Sequence, residues 1–347
     1  MGSPLLEIRD LSVDYITDTR DVRAVDHVDL TLDAGEFLAI VGESGCGKST
    51  LLFAIARLLS PPAEISGGSI SFLGRDMVTL RDEELRLLRW RDYSVVMQSA
   101  MNALNPTKSI EAQFTDTMRA HSAMTGAEIR ARSAEVLRLV GIDAVHLRSY
   151  PHQLSGGMRQ RVMIAMALLF TPQMVIMDEP TSALDVVAQR SLMSQIKELQ
   201  ERIGFAVIFV THDMSVVSHY SDRLAVMYGG QIAEVAATKA LFDQPLHPYS
   251  KGLLDAFPSI RGPRRELLGI PGSPPDLGQP PPGCRFEPRC PVAMAACSTR
   301  QPELIVVGES RVRCLRYEPA SVSVLTSASA SAPAPAPASS SASTPAV

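Results

Sequence analysis

Uninterrupted apolar runs alternate along the chain with stretches in which apolar residues recur at helical spacing. The runs Phe37–Val41, 174–177 and Ala206–Val210 are short and continuous, as expected of strands that are buried on both faces. Between them, 110–139 and 187–203 carry apolar residues at helix-face spacing. Strands that alternate with helices in this way predict a mainly parallel α/β sheet.

Strands of a second kind lie at both ends of this pattern. Residues 28–32 alternate apolar and polar side chains, and 6–13 contain another short strand pattern. Towards the other end, Arg223–Tyr228 and 231–235 flank a Gly-Gly pair that is typical of a tight hairpin. We therefore expect antiparallel strands at the edge of a mixed sheet.

The composition of the chain changes near Pro258 and again near Ala320. Prolines recur every few residues after Pro258, and four of the five cysteines follow within this part. From Ala320 onwards the chain is mostly Ser, Ala and Pro, which cannot bury a core. We predict an α/β domain over 1–257, a Pro/Cys-rich C-terminal extension over 258–319 and a disordered tail over 320–347.

Charge and composition narrow the class of protein. The 347 residues are 46% hydrophobic and 20% charged, as is usual for a folded soluble protein. The net charge of −4 argues against a polyanion-binding surface spread over the whole molecule. We expect no signal peptide at the N-terminus and no membrane-spanning helix, so any work at a membrane would go through partners.

A glycine-rich loop lies between the predicted strand Phe37–Val41 and a following apolar helix. It fits the P-loop pattern of Gly, four residues, then Gly-Lys-Ser, in the required strand–loop–helix context. Its backbone N–H groups can surround phosphates, Lys48 can reach the outer phosphates, and the Ser49 hydroxyl can bind Mg²⁺. The loop residues are Gly42, Glu43, Ser44, Gly45, Cys46, Gly47, Lys48, Ser49 and Thr50.

Polar side chains end three other predicted strands. Asp178 and Glu179 follow the apolar run 174–177 in the Walker B form, so Asp178 is a candidate Mg²⁺ ligand. Glu179 is a candidate general base for a water that attacks a γ-phosphate. Gln98 and His212 also end strands, and each is either an ordinary structural residue or a contact to the same phosphate.

A second candidate phosphate-binding loop follows in the same chain. Ser155, Gly156 and Gly157 supply a hydroxyl and two glycines at the predicted N-terminus of a helix. One nucleotide does not need two such loops from one subunit. The economical explanation is that this loop serves a nucleotide held by another subunit.

With these motifs in this order, the chain resembles the nucleotide-binding subunit of ABC transporters. The resemblance makes 42–50 the Walker A loop, Gln98 the Q-loop, 154–157 the signature, 174–179 Walker B and His212 the switch histidine. It also makes 182–185 the D-loop and Tyr15 the aromatic residue that stacks on adenine.

The fold implied by the resemblance is a P-loop NTPase domain of the ABC type, with a mixed sheet and a helical subdomain at about 99–170. The implied activity is ATP hydrolysis with Mg²⁺, held by Ser49, Gln98 and Asp178. Glu179 and His212 are then the catalytic residues, in a head-to-tail pair of subunits.

Three further stretches are similar to the dipeptide/oligopeptide (peptide/nickel) importers, namely 98–106, 154–168 and 246–254. That branch implies two transmembrane permease subunits, a second homologous ATPase in a heterodimer, an extracytoplasmic solute-binding protein and no nucleic acid. It places the chain peripherally on the cytoplasmic face of the membrane. The alternatives are import of nickel chelates or glutathione, or a soluble ABC ATPase that acts on nucleic acid or ribosomes.

The remaining cysteines form a cluster with unusual spacing. Five, six and sixteen residues separate Cys284, Cys290, Cys297 and Cys314, and no Cys-x-x-Cys pair is present. From the spacing alone, zinc, a 4Fe–4S cluster and unliganded thiols all stay open. The resemblance to the peptide-importer extension favours a 4Fe–4S cluster on these four cysteines.

Overall fold

The computed structural model describes residues 3–98, 103–182, 184–256 and 269–318. Parts of four sequence-based predictions lie outside these residues. They are 99–102 of the Q-loop stretch, Ala183 of the D-loop, 258–268 and Pro319 of the extension, and the tail 320–347. The division into domains stays a prediction.

The described residues form twelve strands and nine α-helices. The strands are β1 (Leu6–Tyr15), β2 (Val22–Leu32), β3 (Phe37–Val41), β4 (Ala63–Phe72), β5 (Arg75–Asp76), β6 (Tyr93–Val96), β7 (Met174–Asp178), β8 (Ala206–Val210), β9 (Arg223–Tyr228), β10 (Gln231–Ala237), β11 (Ile305–Val307) and β12 (Ser310–Val312). The helices are α1 (Lys48–Ile55), α2 (Asp82–Leu88), α3 (Ile110–His121), α4 (Gly126–Leu139), α5 (Gly156–Ala167), α6 (Val186–Ile203), α7 (Met214–Tyr220), α8 (Thr238–Asp243) and α9 (Pro248–Asp255). Among these helices, none combines the length and apolar character needed to cross a bilayer.

The larger sheet has a parallel centre. Its strand order is β11-β12-β10-β9-β3-β8-β7-β6, and the pairs β9–β3, β3–β8, β8–β7 and β7–β6 are parallel. Strands β3, β7 and β8 are buried along their whole length, as their continuous apolar sequences predict. The carboxyl ends of these parallel strands therefore meet at one edge of the sheet. The predicted mixed sheet is confirmed.

The antiparallel N-terminal strands occupy a different place from the one predicted. We expected them at the edge of the main sheet, but they form a separate four-stranded sheet in the order β2-β1-β4-β5. Leu30 and Leu32 of β2 share one apolar core with Leu51 of α1 and Ile40 of the main sheet. Packing of one sheet face through α1 onto the other buries more apolar surface than edge pairing, which explains the difference.

Two helix predictions also change. The single helix expected over 110–139 is divided into α3 and α4, because Thr125 starts a new helix. Its hydroxyl accepts the backbone N–H of Glu128 at 3.4 Å, and the Glu128 carboxylate accepts the N–H of Thr125 at 2.7 Å. Helix α1 ends at Ile55, whereas the Pro61-Pro62 pair, which stops a helix, predicts an end near Leu59.

The C-terminal part of the chain joins the main sheet. Beyond the proline-rich stretch, β12 pairs antiparallel with β10, with Glu234 opposite Val312. The Glu234 carboxylate is fully buried and accepts the backbone N–H groups of Leu246 and His247, each at 2.9 Å. Burial raises the pKa of Glu234, and the same cause lowers the pKa of His247 to about 4. Glu234 thus fixes the chain where it leaves the sheet.

We expect Glu234→Ala to lower the free energy of unfolding by about 2 kcal/mol, because two buried N–H groups lose their acceptor. The midpoint of urea unfolding measures the change. Glu83→Ala is the control, since the Glu83 side chain is 77% exposed and pairs only with Arg86 on the surface. An equal midpoint for Glu234→Ala and the control would contradict the anchoring role of Glu234.

Candidate active site

The P-loop connects β3 to α1, and two of its glycines are required by close backbone contacts. Gly42 and Gly47 have φ angles of 156° and 102°. A Cβ atom on Gly42 would overlap the carbonyl oxygen of Met227, and one on Gly47 would overlap the carbonyl oxygen of Ala24. The loop therefore lies directly against β9 and β2, where only glycine fits.

The Lys48 ammonium lies inside the loop. Lys48 is buried, and its Nζ donates to the carbonyl oxygens of Gly42 and Glu43, each at 2.8 Å. It also lies 3.7 Å from the Sγ of Cys46. Burial raises the pKa of the Cys46 thiol, so Cys46 is neutral and packs as a small apolar residue. The cationic side chain is thus held at the concave side of the loop.

Ser49 and Asp178 place two oxygen ligands side by side. The Ser49 hydroxyl donates to Oδ1 of Asp178 at 3.2 Å. Burial raises the pKa of Asp178; the Ser49 hydrogen bond opposes this shift, and the nearby Glu179 carboxylate adds to it. A hydroxyl and a buried carboxylate are hard oxygen ligands of the kind that Mg²⁺ prefers, so these two residues fit a magnesium ion.

Three strand ends converge on the carboxylate of Glu179. Gln98, after β6, donates from Nε2 to Oε2 of Glu179 at 2.7 Å. His212, after β8, lies with Nδ1 3.3 Å from Oε1 of Glu179. Glu179 itself has a φ of 45°, in the left-handed region that non-glycine residues rarely adopt. The carboxylate is therefore held between an amide and an imidazole, a geometry suited to a general base.

Tyr15 ends β1 close to the P-loop helix. Its hydroxyl lies 3.1 Å from Oγ1 of Thr50, and the side chain is half-buried. This contact brings the N-terminal sheet to the P-loop. Stacking of the Tyr15 ring on adenine stays a prediction.

The second phosphate loop lies apart from the first. Ser155 is exposed and caps α5, where its Oγ accepts the N–H of Met158 at 3.3 Å. A Cβ on Gly157 would meet nothing within 4 Å, so the loop is open to solvent. Ser155 and Gly157 line one cavity, and Glu179 and His212 line another. No residue of the P-loop 42–50 contributes to the cavity of Ser155 and Gly157.

Two contacts to the P-loop come from residues that the sequence-based prediction of the site did not include. The Glu43 carboxylate accepts two hydrogen bonds from Arg289, and the Glu43 N–H donates to the Tyr249 hydroxyl. These partners lie more than 200 positions away in the chain. No local sequence motif predicts contacts between residues so far apart in the chain.

Four cysteines of the C-terminal part line one narrow cavity, beside His247 and Phe286. The cysteines are Cys284, Cys290, Cys297 and Cys314, and all four are free. Burial is the main cause that raises the pKa of Cys284 to about 11, and nearby thiols add to it. Within the described residues, no group of three or more His, Cys, Asp or Glu side chains is arranged to hold a metal ion. The expected 4Fe–4S cluster is therefore not supported, although its four thiols lie together.

Two family models match the chain. The model described as "ABC transporter" matches residues 25–182, which include the P-loop, Gln98 and Glu179. The model described as "Oligopeptide/dipeptide transporter, C-terminal region" matches residues 233–297. The two models cover the ATP-binding loop and the segment that contacts it.

Curated relatives match over nearly the whole length. The dipeptide transport ATP-binding protein DppD of Caldanaerobacter subterraneus subsp. tengcongensis is 42% identical over 320 residues, which cover 91% of this chain and 98% of the relative. The oligopeptide transport ATP-binding protein OppD of Salmonella typhimurium is 44% identical over 300 residues, which cover 86% and 89%.

Solved structures show the same fold. The ATP-binding cassette MJ0796, in a dimeric post-hydrolysis state bound to ADP and Pi, aligns with a TM-score of 0.60 at 30% identity. The match covers 67% of this chain and 98% of that cassette. Together with the curated relatives, this likeness shows that the protein belongs to the family of ABC transporter ATP-binding proteins and is an ATPase of that family.

Proposed function

We propose that this protein is the ATP-hydrolysing subunit of an ABC importer that takes up dipeptides or oligopeptides. The observation that carries the proposal is the convergence of Gln98 and His212 on Glu179, beside the P-loop. The peptide class is supported by the C-terminal region model and by relatives named for dipeptide and oligopeptide transport. Two permease subunits would hold the chain at the cytoplasmic face of the membrane, and a solute-binding protein would deliver the peptide.

The proposed ATP site has two halves. One half is the P-loop with Asp178 and Glu179, and the other is the loop of Ser155, Gly156 and Gly157 from a second ATPase subunit. The exposure of Ser155 supports this division, as does its cavity, to which no residue of the P-loop 42–50 contributes. A related but distinct chain is the proposed second subunit, so that the pair is a head-to-tail heterodimer.

The proposed mechanism assigns one task to each group. Lys48 and the loop N–H groups bind the phosphates, and Tyr15 stacks on adenine. Ser49, Asp178 and the carbonyl oxygen of Gln98 bind Mg²⁺, which would neutralise phosphate charge.

Hydrolysis then needs one proton transfer. A water oxygen attacks the γ-phosphorus while the bond to the β-phosphate oxygen breaks. The attacking water gives its proton to the carboxylate of Glu179, and His212 orients the γ-phosphate. The hydrogen bond from Gln98 keeps the carboxylate in place for this step.

We expect Glu179→Gln to lower ATP hydrolysis in the assembled transporter by at least about 100-fold, because the amide cannot take the proton. ATP affinity stays close to that of the wild type, since Glu179 does not bind the phosphates. Phosphate release and equilibrium binding of ATP measure the two effects. Glu309→Gln, at an exposed position of the C-terminal part, is the control. Hydrolysis at the wild-type rate in Glu179→Gln would remove Glu179 from this role.

We also propose that the four clustered cysteines bind a 4Fe–4S cluster, with zinc as the alternative. Their common cavity and the nearby Arg316 support the proposal, because thiolates around an anionic cluster need a positive neighbour. The cluster would hold the proline-rich segment in shape.

Iron and acid-labile sulfide, measured in anaerobically purified protein, test the cysteine proposal. We expect iron and sulfide in the wild type and their loss in Cys297→Ser. Cys46→Ser is the matched control, because Cys46 lies in the P-loop and not in the cavity. Zinc without iron would replace the iron–sulfur proposal by its alternative, and the absence of both metals would contradict any metal site.

A further inference from the structure

The C-terminal part of the chain holds one residue of the P-loop from two sides. The backbone N–H of Glu43 donates to the Tyr249 hydroxyl at 3.0 Å. The Glu43 carboxylate accepts one hydrogen bond from Nη1 of Arg289 at 2.7 Å and another from Nη2 at 2.9 Å. The contacts span 206 and 246 positions of sequence. The loop that binds phosphate is therefore attached to the end of the chain.

Arg289 is fixed in its position by further contacts. Its side chain is 6% exposed, against 26% for Glu43. Nε donates to the carbonyl oxygen of Pro271 at 2.8 Å, and Nη2 also donates to that of Ile270 at 3.2 Å. Nη1 reaches the Tyr228 hydroxyl at 3.2 Å, and the guanidinium lies 5.7 Å from the centre of the same ring. Arg289 is thus preorganised to bind a carboxylate in a bidentate manner, through two parallel hydrogen bonds.

Glu43 places a negatively charged side chain on the P-loop. Its backbone carbonyl accepts a hydrogen bond from the Lys48 ammonium at 2.8 Å, and Lys48 is the residue that binds the outer phosphates in a P-loop. An unpaired carboxylate on this loop would repel a bound triphosphate. The hydrogen bonds from Arg289 pair this carboxylate and raise the pKa of Arg289, mainly through Glu43 itself.

We propose that Arg289 is a positioning residue for ATP binding. It neutralises the Glu43 carboxylate, so that the loop accepts the phosphates without a repelling charge, while the Tyr249 hydroxyl holds the backbone of Glu43. The C-terminal segment 269–318 is then part of the ATP site and not only an appendage of the cassette. The inference rests on the ATP site of the proposed function.

The test compares the dissociation constant for Mg²⁺–ATP among variants of the full chain. Arg289→Gln keeps two N–H donors and loses the charge, so we expect affinity to fall on the order of tenfold. Arg289→Lys keeps the charge and recovers part of the loss. In the assembled transporter, the KM for ATP rises in Arg289→Gln while kcat at saturating ATP stays within about twofold, because Arg289 does not touch the reacting atoms.

Substitutions of Glu43, the residue that pairs with Arg289, separate the effect of charge from a loss of packing. Glu43→Gln alone binds ATP at least as tightly as the wild type, because the repelling charge is gone. The double variant Arg289→Gln/Glu43→Gln binds within about twofold of the wild type. A purely structural role for Arg289 predicts no such rescue, because the bonds to Pro271 and Tyr228 stay weakened in the double variant.

Asp276→Asn is the matched control. It weakens the ion pair between Asp276 and Arg20, whose charged atoms lie 2.9 Å apart and whose side chains are both about half exposed. This pair is another link between the C-terminal segment and the N-terminal part of the chain. We expect its ATP affinity to equal that of the wild type. Thermal unfolding of each variant shows which of them are folded at the assay temperature, and Arg289→Met, which also removes the charge, replaces Arg289→Gln if the latter is not.

Two outcomes overturn the inference. One is wild-type ATP affinity in the folded Arg289 variant, and the other is a double variant that binds ATP no better than Arg289→Gln. Failure of the wild-type chain to bind ATP is a different result, because it contradicts the proposed function itself.

Discussion

The parallel alignment of four strands is the constraint on which the site depends. In β6, β7, β8 and β3 the backbone ladders pair Val96 with Met177, Asp178 with Val210, and Ile40 with Val210. Parallel strands in register end at the same edge, so the residues that follow them are brought together although they are far apart in sequence. A shift of one position in any strand would turn its terminal side chain to the other face of the sheet.

The same sheet connects the site to the end of the chain. Strand β10 pairs with β9 on one side and β12 on the other, and β9 packs directly under Gly42 of the P-loop. Arg285 links the C-terminal part to the buried Asp26 of β2, with Nη2 donating to Oδ2 at 2.6 Å. Arg289 makes the corresponding link to Glu43. The C-terminal part therefore contacts the nucleotide loop through backbone pairing and through two buried guanidinium groups.

Sequence reasoning predicted the centre of the fold and the main site residues. Continuous apolar runs marked β3, β7 and β8, and the polar residues at their ends included Asp178, Glu179 and His212, because buried parallel strands impose this pattern locally. The sequence also contains a signal for the break between α3 and α4, because Thr125 is followed three residues later by Glu128 in the pattern of a capping box. We missed it because the apolar spacing continues across the break.

Other features could not be predicted from local patterns. The separate N-terminal sheet depends on which faces of the two sheets pack together. The alternation of apolar and polar side chains in β2 would be the same whether the strand lay at the edge of the main sheet or in a second sheet. The pairing of Arg289 with Glu43 joins positions 246 residues apart, and a lone arginine beside a cysteine carries no signal for it. The arrangement of the four cysteines is likewise a tertiary property, and neither their spacing nor the resemblance to the importer extension could supply it.

The central claim is that this chain supplies half of each ATP site in a pair of subunits. Substitution of Ser155 by Arg would block the exposed phosphate loop without touching the P-loop, and ATP binding can be measured on the isolated chain beside hydrolysis by the assembled transporter. The account predicts unchanged ATP affinity in the isolated Ser155→Arg chain and a large loss of hydrolysis in the assembly. Weakened ATP binding by the isolated chain would contradict it, because the loop would then serve the nucleotide of its own subunit.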